Sequence, residues 1–201
     1  MNVQIVIFDG FDELDAIAPH EVWRMAKELK PEVEVQLVTL EGAKEITAAN
    51  GLRVRAEGKL GAKRPNLIVV PGGGWIGCSP AGARAEAQRG ALPAEIAKFH
   101  GDGVVMASVC TGAMLLATAG LLKNRPATTH HGALEELAAM GAQVIRARVV
   151  DDGDIITAGG ITSGLDLSLW LVERFLGPQT AHKLEESLEY ERRGTVWKKA
   201  N

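Results

Sequence analysis

Val104 to Gly120 reads V-V-M-A-S-V-C-T-G-A-M-L-L-A-T-A-G. The run Val104–Ala107 is short and wholly apolar, as in a buried strand, and Thr111–Ala119 continues as an apolar helix pattern. Gly120 then suits the position just past a helix C-terminus. Cys110 stands at the joint, followed by Thr111-Gly112. A sharp strand-to-helix turn lifts one side chain clear at the end of a sheet, which is the geometry of a nucleophile elbow. A thiol there meets the unpaired N–H groups and the positive end of a helix. That end is worth roughly 0.3–1 kcal/mol, so it lowers a thiol pKa from about 8.5 by less than about one unit. The expectation is a thiol primed for attack that still needs a partner.

The 201 residues fit one domain, 1–201, with a sizeable core. Apolar content of 46% and charged content of 23% are those of a globular chain. A formal charge of -3 gives no basic footprint, which points away from nucleic acid. No apolar run is long enough to span a membrane. The only cysteines are Cys78 and Cys110, too few for a disulfide framework. No signal peptide precedes the first strand, so a reducing cytoplasm is expected.

Outward from the elbow, strands and helices alternate. Val3–Phe8 reads as a strand, with a helix from about Asp15 to Leu29 in which Pro19 suits the first turn. Asp15 is either the cap of that helix or a functional acid. Val33–Leu40 is a second strand, and Glu41–Lys63 reads as a hairpin or loop. Leu67–Val70 is a buried strand running into Pro71-Gly72-Gly73-Gly74-Trp75-Ile76-Gly77. Gly72, Gly74 and Gly77 satisfy G-x-G-x-x-G, but Ser79-Pro80 follows where a dinucleotide site requires a helix. Consecutive glycines are better used as a strained loop whose N–H groups face a ligand.

Pro80–Gln88 and Leu92–Phe99 read as short helices. Beyond the elbow, Thr128-Thr129 reads as a brief strand with His130 and His131 at its end, and Leu134–Met140 as a helix. Gln143–Val150 and Asp154–Ala158 read as a hairpin. Gly159-Gly160 opens a further glycine loop, followed by helices from Gly164 to Phe175 and on to Tyr190. The charged tail, 191–201, is expected at the periphery or at a subunit contact. Alternation with short connections predicts an α/β fold, a mostly parallel sheet with helices on both faces. Ligands then bind at the carboxyl ends of the strands. Asp15, the Gly72–Gly74 loop, Cys110, and His130 with the Gly159-Gly160 loop all fall there.

A papain-type pair would need a histidine, and His130 is the first candidate, ahead of His131, His20 and His100. Two cysteines and adjacent histidines do not make a recognisable zinc set, so no metal is expected. Cys78 reads as inert or as a resolving thiol.

V-x-P-G-G-G after a strand, A-S-V-C-T-G-A-M-L-L-A-T-A-G-L-L at 107–122, A-T-T-H at 127–130 and G-G-I-T-S-G-L-D at 159–166 resemble the ThiJ/PfpI superfamily. This is a branch of the class I glutamine amidotransferase-like fold, a flavodoxin-like three-layer sandwich. The resemblance runs to about residue 190. C-T-G after the strand, with L-D-A-x-A-P-H-E-V at 14–22, is most similar to the isonitrile hydratase branch. Ligand-sensing domains of certain transcription regulators share these motifs, but the chain shows no helix-turn-helix pattern.

The resemblance implies Cys110 as nucleophile, Asp15 as the acid against it, and Thr111 as its neighbour. It implies an oxyanion-hole-like pair of N–H groups at Gly73 and Thr111, with Gly74 and His130 beside the substrate. The protease branch has His immediately after the Cys, where this chain has Thr111. After Glu189-Tyr190 the hydratases carry a proline-rich segment, and here the chain runs into Glu191-Arg192-Arg193-Gly194. The implied reaction hydrates an isonitrile to an N-substituted formamide through a covalent thioimidate, without a cofactor, in a homodimer. Alternatives are a glyoxalase-, deglycase- or amidase-like cysteine enzyme, or a redox-sensing or small-molecule-binding protein.

Overall fold

The computed structural model describes residues 1–198. In chain order the elements are β1 (Asn2–Val6), α1 (Glu13–Leu29), β2 (Glu34–Thr39), β3 (Glu45–Thr47), β4 (Arg53–Arg55), β5 (Gly58–Lys59) and β6 (Leu67–Val70). Then come α2 (Ala83–Arg89), α3 (Ala91–Gly101), β7 (Val105–Ser108), α4 (Gly112–Thr118), β8 (Pro126–Ala127), α5 (Leu134–Ala139) and β9 (Gln143–Val144). The last are β10 (Val149–Asp151), β11 (Ile155–Ala158), α6 (Ser163–Leu176), α7 (Pro178–Leu188) and β12 (Trp197–Lys198).

Eight strands form one sheet in the order β12-β10-β11-β7-β6-β1-β2-β5. Every neighbouring pair is parallel except β10 with β11. β1, β6 and β11 are buried along their whole length, the continuous apolar reading of strands covered on both faces. Helices α1, α6 and α7 pack together, and α2, α3, α4 and α5 form a second group. The result is a mostly parallel sheet flanked by seven helices, the flavodoxin-like α/β architecture the alternation predicts. β1 has β2 on one side and β6 on the other, so the strand order reverses there. The loops after β1, β6, β7 and β11 leave the same edge of the sheet, because these four strands are parallel.

Several local readings are corrected. α1 begins at Glu13 and its cap is Asp12, whose side chain accepts from the Leu14 N–H at 3.3 Å. Asp15 is therefore not the cap, and Pro19 lies inside the helix, where it provides no N–H for the Asp15 carbonyl. Thr128-Thr129 is not a strand, because its groups bond to side chains and to the elbow. The Thr128 N–H donates to Thr157 Oγ1 at 2.9 Å, and Thr129 Oγ1 donates to the Cys110 carbonyl at 2.8 Å. The strand is β8, paired in parallel with β9. That removes Gln143-Val144 from the expected hairpin, which consists of β10 and β11 alone.

The tail is not merely peripheral. β12 pairs with β10, and the Arg193 N–H donates to the buried Asp166 at 2.7 Å. The last three residues of that reading, 199–201, lie outside the described residues. No helix among the described residues is long and apolar enough to cross a membrane.

Candidate active site

The elbow forms because β7 is locked into the sheet to its end. The Val109 N–H donates to the Val70 carbonyl at 3.0 Å, continuing the β6–β7 ladder. The next residue must turn sharply, and Cys110 takes φ +55°, a left-handed backbone that is strained for a side-chain-bearing residue. Its surroundings fix it there. The Cys110 N–H is shared between the carbonyls of Ala158 (3.1 Å) and Gly159 (3.0 Å), while its carbonyl accepts from Thr129. α4 starts two residues on at Gly112, where a Cβ would lie 2.0 Å from the Val70 carbonyl oxygen. Only glycine allows the helix to begin so close to the strand end.

Below the elbow, Asp15 is fully buried (0% exposed) and Cys110 is 5% exposed. Asp15 Oδ2 accepts from the Gly72 N–H at 3.0 Å, whereas Oδ1 has no partner in hydrogen-bonding geometry among the described residues. The thiol lies against this carboxyl group. Burial first, and the Asp12 charge second, push Asp15 up to about 8. Burial and the Asp15 charge push the Cys110 thiol up as well, against the Thr111 N–H, which bonds to the sulfur and favours the anion. This overturns the expected lowering of the thiol pKa, because desolvation outweighs a contribution of roughly 0.3–1 kcal/mol from the helix end. The resting site holds a carboxylic acid beside a thiol.

The glycine loop covers this pair. A Cβ on Gly72 would meet the Thr111 nitrogen and Oγ1, each at 2.5 Å. The Gly73 N–H donates to Thr111 Oγ1 at 3.0 Å, so Gly73 and Thr111 are bound to each other and both backbone donors are engaged within the protein. Gly74 follows at φ +65°. Trp75 then anchors the loop. Its ring is buried, its Nε1 donates to Glu136 Oε2 at 2.7 Å, and Arg84 stacks over it at 4.6 Å. Arg84 also donates to the Trp75 carbonyl at 3.0 Å and pairs with Glu136 at 2.9 Å. This anchor was not foreseen from sequence, where its members are dispersed.

His130 stands across Gly160 from the thiol. A Cβ on Gly160 would lie 2.3 Å from the His130 ring and 3.4 Å from Cys110 Sγ. His130 Nδ1 accepts from the Gly132 N–H at 3.1 Å, which leaves the proton on Nε2. Burial and the adjacent His131 lower its pKa, so the ring is neutral. The ring centroids of the two histidines are 4.2 Å apart. Asp12 acts electrostatically on Asp15, Cys110 and His130, which adds a second carboxyl to the site. The sequence offers Asp15 as the helix cap and assigns Asp12 no role. The Gly159-Gly160 loop is expected at this end of the sheet, and what Gly160 contributes there is the space it leaves. Cys78 is exposed and outside any disulfide. His20 and His100 are elsewhere: His20 on α1 and His100 against Asp154 at 2.7 Å.

A cavity of about 710 Å³ is lined by residues such as His182, Glu186 and Tyr190, away from Cys110. No group of three or more His, Cys, Asp or Glu among the described residues could hold a metal ion.

The chain is 31% identical over 191 residues to an isonitrile hydratase of Pseudomonas putida, covering 94% of this chain and 78% of that one. It is 30% identical over 161 residues to a deglycase of Thermococcus kodakarensis, covering 79% and 89%. A crystal structure of a ThiJ/PfpI family protein from Pseudomonas syringae superposes with a TM-score of 0.83 at 26% identity, over 97% of this chain and 77% of the other. The model of the DJ-1/PfpI family matches residues 1–174, and the chain belongs to that family.

Proposed function

We propose that the protein is a cysteine-dependent hydro-lyase that hydrates an isonitrile to an N-substituted formamide. The observation that carries this reading is the buried, protonated Asp15 against the Cys110 thiol. Adding a thiol to R–N≡C places sulfur and hydrogen on the same terminal carbon, so the chemistry needs a proton donor beside the sulfur. Asp15 gives its proton to that carbon as the sulfur bonds to it, and takes up the thiol proton. The product is the thioimidate R–N=CH–S–Cys110. Water adds across the C=N bond, and collapse breaks the C–S bond, releasing R–NH–CHO and restoring the thiol. Thr111 holds Gly73 and the sulfur in place through its hydroxyl and N–H. A slim, linear isonitrile suits a nucleophile on a residue that is only 5% exposed. The similarity to the Pseudomonas putida hydratase supports the same assignment.

A deglycase-like reaction on an α-oxoaldehyde is the second reading, favoured by the similarity to the Thermococcus enzyme. A redox sensor requires an accessible, acidic thiol, and the Cys110 environment is the reverse. We place the protein in a reducing cytoplasm, supported by two cysteines outside any disulfide, and read it as a homodimer. Exposed Leu14 and Leu29 on α1, with Leu52 near the β3–β4 turn, offer apolar surface for a second copy.

Intact-mass spectrometry after mixing with an alkyl isonitrile is the test. The expected result is an adduct of the whole isonitrile mass on Cys110, absent in Cys110→Ala, with formamide appearing in solution. Turnover retained by Cys110→Ala ends the proposal. Consumption of methylglyoxal without isonitrile turnover selects the second reading.

A further inference from the structure

We propose that Asp12 is a charge filter at the mouth of the site, admitting neutral or cationic substrates with apolar substituents and rejecting those that bear a carboxylate. The inference rests on Cys110 as the reacting group and names the substrate class it accepts.

Asp12 is held from two sides. Its backbone N–H donates to the Gly72 carbonyl at 2.9 Å, and its side chain caps α1 at the Leu14 N–H. The N–H groups at the helix N-terminus favour the anion, though burial and the Glu13 charge hold the Asp12 carboxyl somewhat above the usual carboxylate range. The half-buried carboxylate is thus fixed between the glycine loop and the helix that carries Asp15, and its field reaches Asp15, Cys110 and His130. The neighbouring Glu13 does not share this role. It turns away to the hairpin, where it accepts from both the backbone and the side chain of Asn50 at 2.7 Å.

Among the described residues, no lysine or arginine forms an ion pair with Asp12. The charged groups that act on Asp12, Asp15 and His130 are carboxylates and histidines. Arg84, which reaches from α2 to Trp75 of the glycine loop, is paired with Glu136. Leu14 stands exposed two residues along on α1, and on the His130 side Ile76, against Gly132, and Ile161, directly after Gly160, are exposed as well. An uncompensated anion next to apolar surface is poorly screened, so it discriminates strongly on charge. A like charge brought against it slows reaction on the order of tenfold or more.

Iodoacetamide and iodoacetate are a matched neutral and anionic pair that alkylate a thiol without needing turnover. Their relative rates at Cys110, read by mass spectrometry and normalised to free cysteine, measure the filter directly. The wild-type protein should prefer iodoacetamide about tenfold beyond free cysteine. Asp12→Asn, which retains a good helix cap, should abolish that excess, and Glu13→Gln should leave it in place. An equal ratio in the wild type and Asp12→Asn overturns the filter. A second arm compares a carboxyalkyl isonitrile with its methyl ester. Charge-blind turnover of both overturns the filter while sustaining the hydratase reading. An intact alkylation ratio with no isonitrile turnover sustains the filter and removes the hydratase reading.

Discussion

Asp15 and Cys110 face each other across the buried floor of the site, where burial raises the proton affinity of both and the Asp15 charge raises that of the thiol further. Their chemistry therefore has a definite pH window. Asp15 acts as an acid only while protonated, so activity falls as pH rises through about 8. A pH–rate profile of kcat/KM should show that descending limb, and Asp15→Asn should lose about 10³-fold in activity.

The same carboxyl sets a stability prediction of opposite sign to the usual aspartate. Its folded pKa lies above its unfolded value, so its contribution is full below about pH 4 and is lost as pH rises to about 8. Asp15→Asn removes this slope. Urea denaturation should find the variant more stable than wild type by on the order of 4 kcal/mol at pH 7, and no more stable at pH 3.

Gly160→Ala tests the space between His130 and the thiol. The added methyl would sit 2.3 Å from the imidazole ring, so the ring must move. Activity and Cys110 alkylation should each fall by about 100-fold, with a melting temperature close to wild type. Gly159→Ala, with its nearest new contact at 3.4 Å, should be tolerated.

Gly112→Ala should act on folding instead. Its Cβ would be forced to 2.0 Å from the Val70 oxygen, which is backbone of a central strand and cannot yield. A loss of about 3 kcal/mol in chemical denaturation is expected.

Glu136→Ala should loosen the glycine loop. It leaves the buried Trp75 Nε1 without its acceptor and Arg84 without its partner, at about 1–3 kcal/mol. Amide exchange at Gly73 and Gly74 should accelerate, and KM should rise more than kcat falls. Unchanged exchange there would show that the loop is held by its backbone alone.

What was legible in the sequence followed from periodicity and from local turn chemistry. β6 and β7 are largely apolar runs that lead into Pro71-Gly72 and Val109-Cys110, and with the first strand ahead of Asp15 they made the fold and the convergence of Asp15, Cys110 and the glycine loop readable. Interactions that depend on spatial rather than sequential neighbours could not. The Thr128-Thr129 pair has strand-forming residues, yet Thr157 and the elbow claim its hydrogen bonds. The thiol's proton affinity was misjudged because a helix terminus is visible in sequence and the depth of burial is not. Asp12 was missed for the same reason, and the Gly159-Gly160 loop was placed at the site without showing that Gly160 acts by leaving room.

The sheet ends on both sides in strands of two residues, β5 and β12. A long exposed edge is a template on which a second chain can add a strand, and short edges deny it that foothold. At the β12 side the closure is reinforced. Trp197 and Lys198 pair with Val150 and Asp151, Lys198 lies over the Trp170 ring, and Asp166 clamps the approach through Arg193 and Tyr190. The same C-terminal segment thus guards the molecule against fibrillar growth, and its removal would uncover β10, leaving a free strand edge beside a tryptophan.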